Sequence, residues 1–71
     1  MEKDKYTDVR RLDEKRFLSI EEFAMYTSLG KNNARILAER CRVELRIKSR
    51  VLVDRYKFDR IETEEIEQIM N

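Results

Sequence analysis

Between residues 31 and 35 the chain sets two adjacent amides, Asn32 and Asn33, close to the guanidinium of Arg35. These are flat groups that form paired hydrogen bonds: an amide matches the donor and acceptor edge of adenine, and a guanidinium matches the two acceptors of guanine. Ile36 beside them offers a methyl surface of the kind that meets a thymine methyl group; packing under a following element is its other use. Lys31, Arg46, Lys48, Ser49 and Arg50 supply the charges and the hydroxyl that phosphate contact requires. This is recognition chemistry, and the composition excludes most alternatives. With no histidine, one cysteine and one glycine, the chain lacks the means for a zinc site, a Ser/His/Asp triad or a glycine-rich phosphate loop. The neighbouring carboxylates Glu21 and Glu22, and Glu64 and Glu65, point about 100° apart on a helix and read as solvated surface. No catalytic residue, metal ligand or cofactor is expected.

Positioning such side chains falls to residues 18–42, two short amphipathic runs around the single glycine. Ser19 with Glu22 three residues later forms a capping box, and Leu18 with Phe23 fits the hydrophobic staple, so a helix starts after Ser19. Ile20, Phe23, Ala24 and Thr27 then face inward. Gly30 is expected to supply the left-handed turn, with Lys31 or Asn32 opening the next helix. In that helix Ala34, Leu37, Ala38 and Cys41 form a narrow apolar stripe, which makes Cys41 a buried, inert thiol. Asn32, Arg35, Ile36 and Glu39 lie opposite. The alternative role for Asn32 and Asn33 is helix capping, and Arg40 and Arg42 divide between phosphate contact and plain solvation. Two helices joined this way are a helix-turn-helix, which lays the start of its second helix in the DNA major groove.

From residue 44 to 54 apolar and charged positions alternate through Leu45, Ile47, Val51 and Val53, with Lys48, Ser49 and Arg50 between them. The pattern predicts a two-stranded hairpin with a basic tip, a wing beside the helix pair. Asp54 then caps a last helix through Tyr56, Phe58, Ile61, Ile66, Ile69 and Met70, with a kink at Glu62 and Thr63. Residues 1–15 mix both charge signs, with Tyr6, Val9 and Leu12 at intervals of three, and read as a frayed helix or a disordered arm.

Charge distribution supports the same centre. The chain of 71 residues has a net charge of only +1, yet residues 31–60 carry ten basic against four acidic side chains. Residues 61–71 carry Glu62, Glu64, Glu65 and Glu67 and no cation. A basic middle between acidic ends fits contact with a polyanion; salt-bridged surface charge is the plainer reading. The single cysteine suits a reducing compartment, and no apolar run reaches membrane-spanning length, so a cytoplasmic location is expected.

The stretch FLSIEEFAMYTSLGKNNARILAERC, the basic hairpin and VLVDRYKFDRI together resemble the small excisionases of conjugative transposons and related MerR-like winged-helix proteins. The resemblance spans residues 16–61. Its matching elements are residues 18–24, Gly30, residues 37–39 and residues 51–58; Phe23 replaces a commoner small residue, and the hairpin turn lacks the usual glycine or asparagine. It implies double-stranded DNA as partner, an integrase or other recombinase of a mobile element beside it, and cooperative self-association along DNA. It equally covers small transcriptional regulators. A protein-interaction adaptor that does not bind DNA is the reading from a different class. The expected fold is α+β: a charged arm over residues 1–15 and, over 16–71, a winged helix-turn-helix of two N-terminal helices, a two-stranded hairpin and a C-terminal helix.

Overall fold

Ser19 and Glu22 cap each other. The Ser19 hydroxyl accepts from the Glu22 N–H at 3.1 Å, and Glu22 Oε1 accepts from the Ser19 N–H at 2.9 Å. The computed structural model describes residues 9–71, with side chains from Leu12 onward. Helix α1 (Ile20–Thr27) follows the box, and the staple residues Leu18 and Phe23 are both fully buried. Glu22 is itself only 2% exposed, so it is not the solvated surface group its neighbour Glu21 is. Its second oxygen accepts from Lys15 Nζ at 2.5 Å, which gives the buried charge the partner it needs.

The turn after α1 departs from expectation. Ser28, not Gly30, is left-handed, with φ 62°. The Leu29 N–H reaches back to Ala24 O at 3.0 Å and the Ser28 N–H to Met25 O at 3.3 Å, a Schellman closure. Leu29, the residue after the left-handed one, packs against the core, and this contact places the left-handed turn two residues before the glycine. Gly30 adopts φ −67° and ψ 162° as the N-cap of α2 (Lys31–Arg40), a conformation open to any residue. Helix α2 ends in the same motif: Arg42 is left-handed at φ 59°, and the N–H groups of Val43 and Arg42 donate to Ala38 O and Glu39 O, each at 3.2 Å. Val43 is buried beneath it.

The sheet has three antiparallel strands where the sequence suggested two. Strands β1 (Phe17–Ser19), β2 (Glu44–Ile47) and β3 (Arg50–Asp54) lie in the order β1-β3-β2. Three residues are too few to show alternation, and the partners of β1 lie far along the chain: Phe17 pairs with Asp54, Leu18 with Val53 and Ser19 with Leu52. Strands β2 and β3 are joined by the two-residue turn of Lys48 and Ser49, with Ile47 opposite Arg50 and Leu45 opposite Leu52. Lys48, the first residue of that turn, takes a positive φ of 57°.

The C-terminal segment is two helices, α3 (Arg55–Asp59) and α4 (Thr63–Met70), not one kinked helix. Capping divides them without proline or glycine. Asp54 accepts from the Tyr56 and Lys57 N–H groups at 3.1 and 3.4 Å, and Glu62 forms a capping box with Glu65. Phe58 on α3 meets Phe23 edge to face, with ring centroids 4.9 Å apart. The core gathers Leu18, Phe23, Ala34, Leu37, Ala38 and Val53, with Ile66, Ile69 and Met70 of α4 packed against it. Leu12, on a 3-10 turn (Val9–Glu14), belongs to this core at 6% exposure. The folded unit therefore includes part of the arm expected over residues 1–15; residues 1–8 lie outside the described ones. The described residues form a small α+β unit of four α-helices and one three-stranded sheet.

Candidate nucleic-acid interface

Helix α2 buries one side and exposes the other. Ala34 and Ala38 are fully covered and Leu37 nearly so, while Asn32, Asn33, Arg35 and Glu39 are exposed and Ile36 is half-buried. At 100° per residue, Asn32, Arg35, Ile36 and Glu39 share the side opposite the buried stripe, and Asn33 stands a quarter turn away. Neither asparagine caps the helix, since that position belongs to Gly30. Their amides are thus committed to no role at the helix start. Glu39 was not among the expected contacts, although it shares the outward side and can accept from cytosine N4.

The first turn of α2 contains no acidic residue and receives no side-chain cap. Its N–H groups and the positive end of the helix dipole favour an anion there. Lys31 at this end donates to Glu21 Oε2 at 3.3 Å, an exposed pair worth little in water that an approaching phosphate can replace. Arg40 has a different assignment: its Nη1 donates to Ile69 O at 2.9 Å and so joins the last turn of α2 to the end of α4. Cys41 is half-buried, and burial, together with the nearby Glu65 carboxylate, pushes its thiol above the ordinary value, so it stays protonated. This matches an unreactive thiol more than it does a fully buried one.

The hairpin places its cations around its tip. Arg46 and Arg50 lie on opposite faces of the ribbon by their register, with Lys48 in the turn between them and Ser49 exposed beside it. Arg46 lies 4.0 Å from Glu44, with its side chain still 71% exposed. Arg42 and Lys48 hold left-handed conformations that cost a side-chain-bearing residue about 1–2 kcal/mol. Glycine or asparagine would remove most of that cost, yet both positions carry cations. The sequence left Arg42 divided between phosphate contact and solvation; its left-handed backbone was not visible in a stripe of helical spacing.

Asp54 anchors the far end of this surface. Burial alone would raise its carboxyl, but the Arg16 guanidinium and the Lys57 and Tyr56 N–H groups hold it below the ordinary aspartate value. Arg16 itself lies over the Phe17 and Tyr56 rings at 5.1 and 5.2 Å. Among the described residues no helix is long and apolar enough to cross a membrane. Comparison of the chain with family models, with curated proteins and with solved structures finds no match in any of the three.

Proposed function

We propose that this chain is a sequence-specific, non-catalytic DNA-binding protein of the winged helix-turn-helix type. Helix α2 enters the major groove, and the β2–β3 hairpin is a wing on the adjacent backbone or minor groove. One observation carries this reading: the side of α2 that the core leaves outward carries Asn32, Arg35, Ile36 and Glu39, and the next element in the chain ends in Arg46, Lys48 and Arg50. Base-reading groups and phosphate-holding groups are then the two ends of one continuous segment, with ten cations over residues 31–60. Asn32, Asn33 and Arg35 read base edges and Ile36 meets a thymine methyl group, while Lys31, Arg46, Lys48, Ser49 and Arg50 hold phosphates. The resemblance to excisionases adds the biological role: binding beside a recombination site of a mobile element and biasing an integrase towards excision.

Anisotropy of a labelled duplex tests the first part. Binding should be micromolar or tighter at 50 mM salt and weaken about 100-fold by 200 mM, the slope expected of roughly four phosphate contacts. Absence of binding at low salt would sink the proposal. Selection of preferred sites from a random duplex pool tests the role. Sites at the ends of an integrated element support excision, and sites within promoters support transcriptional control instead.

A further inference from the structure

The hairpin register leaves the sheet apolar on both faces. Leu18 and Val53 pair directly and, with Val51, face the helices. Because side chains alternate, Leu52 and its partners Ser19 and Leu45 point the other way, as do Phe17 and Ile47. A turn one residue longer would have set Ile47 opposite Val51 and Leu45 opposite Val53, with all four on the core side. The two-residue turn instead places Leu45 and Ile47 in solvent, at 38% and 50% exposure, beside Phe17 at 39%. An antiparallel sheet with one solvated face ordinarily carries polar residues there.

This outer face is also concave. A cleft of about 440 Å³ is lined by Phe17, Ile47 and Leu52, with Lys15, Arg16 and Arg50 at its rim. Glu22 is the one carboxylate in the lining, and Lys15 already neutralises it. Arg16 also bonds Asp54 at 3.4 Å, while its side chain remains 53% exposed. The lining thus offers an apolar floor under a net positive rim. Duplex DNA suits such a site poorly, because its phosphates would lose water against Phe17 and Ile47 without replacement. A peptide segment that inserts a large apolar side chain and flanks it with carboxylates satisfies both features.

We infer that the outer face of the β1-β3-β2 sheet is a docking site for an acidic protein segment that carries a large apolar anchor residue. This surface is turned away from the helices, so a partner held there leaves the outward side of α2 free. The inference stands on the sheet alone and does not require that α2 bind DNA.

Panning a random peptide display library on the immobilised whole protein tests it. Enriched peptides should join a Leu, Ile, Met, Phe or Trp to two or more Asp or Glu residues. A synthetic peptide of the enriched sequence should shift amide resonances of Phe17, Ile47, Arg50 and Leu52. Ile47→Glu should weaken that peptide at least about tenfold, with the circular dichroism spectrum intact. Resonance mapping on the unsubstituted protein decides the matter even if Ile47→Glu fails to fold. Enrichment of uncharged or basic peptides overturns the inference, as do shifts confined to the helical side. Sedimentation showing a dimer that Ile47→Glu dissolves would overturn it in favour of a second copy, and displacement of the peptide from Phe17 and Leu52, which lie away from the hairpin tip, by labelled duplex would overturn it in favour of DNA.

Discussion

The helix pair and the hairpin are adjacent in sequence and differ sharply in how they are held. Helix α2 is fixed by three residues at 2% exposure or less, Ala34, Leu37 and Ala38, two of them alanines that let it approach its neighbours closely. No residue from 44 to 52 is fully buried; the hairpin is anchored at its base through Val43 and Val53, with Val51 half-buried against the core. The difference teaches something about recognition. Reading a base edge requires a side chain placed within a fraction of an ångström, which a packed helix provides. Holding a phosphate with a lysine or arginine tolerates movement, which an unburied ribbon allows. On the proposed function, packing is concentrated where specificity is decided and omitted where only charge is needed.

The largest effect should come from breaking the packed member of this pair. Phe23→Ala removes the ring that meets Phe58 edge to face and should cost about 3–5 kcal/mol, most of the stability of a domain this size, as read by urea titration. Leu45→Ala on the hairpin should cost less than about 1 kcal/mol, because its side chain is already partly in water.

Asp54 joins the two regions and gives the next effect. Its folded carboxyl is held below the value it has when unfolded, so its contribution is present above the ordinary aspartate pKa and is lost as pH falls through the lower, folded value. Asp54→Asn should lower stability near pH 7 by about 1–2 kcal/mol through the weakened cap and the lost Arg16 pair. Thermal melts between pH 7 and 2 should show a smaller acid loss for the variant than for the parent.

Lys48→Gly separates stability from binding. It should stabilise the fold by about 0.5 kcal/mol, the relief of a left-handed side chain less the entropy of a freer unfolded chain. It should also reduce the salt dependence of duplex binding by about one unit. If affinity and salt slope stay as they were, the hairpin is not the gripping element.

The smallest effects test the turn between α1 and α2. Gly30→Ser should stabilise by a few tenths of a kcal/mol, since the position has ordinary dihedral angles, open space around it and an uncapped helix behind it. Ser28→Gly should gain slightly more by relieving a left-handed serine, about 0.5 kcal/mol. Loss of about 1 kcal/mol at Gly30, measured by thermal melting, would mean that this turn does need the glycine's freedom.

These small numbers mark where sequence was a poor guide. Capping boxes and helical stripes are local signals, so the start of α1, the buried side of α2 and the exposure of Asn32 and Arg35 could be read directly. The left-handed residues could not. Ser28, Arg42 and Lys48 take that conformation because Leu29 and Val43 seat in the core and a short turn fixes the register, conditions set by contacts distant in the chain. The sequence showed residues 16–18 as a short extended entry to the helix, but its pairing as strand β1 was hidden for the same reason, its partners lying more than thirty residues away. Glu22 looked like surface because a carboxylate is buried only when a partner such as Lys15 comes to meet it. The outer-face position of Leu45 and Ile47 depended on one residue of turn length, which alternation alone does not count.

Asp54 is at once the last rung of the sheet and the cap of α3, so no loop lies between the hairpin and the C-terminal helices. A connection without slack has a consequence for fluctuation: β3 cannot peel from β1 without uncapping α3 and drawing Phe58 from its place. The base of the hairpin and the C-terminal helices should therefore open together as one cooperative unit, their amide protons exchanging at a common rate, while the hairpin tip beyond Val53 exchanges freely on its own.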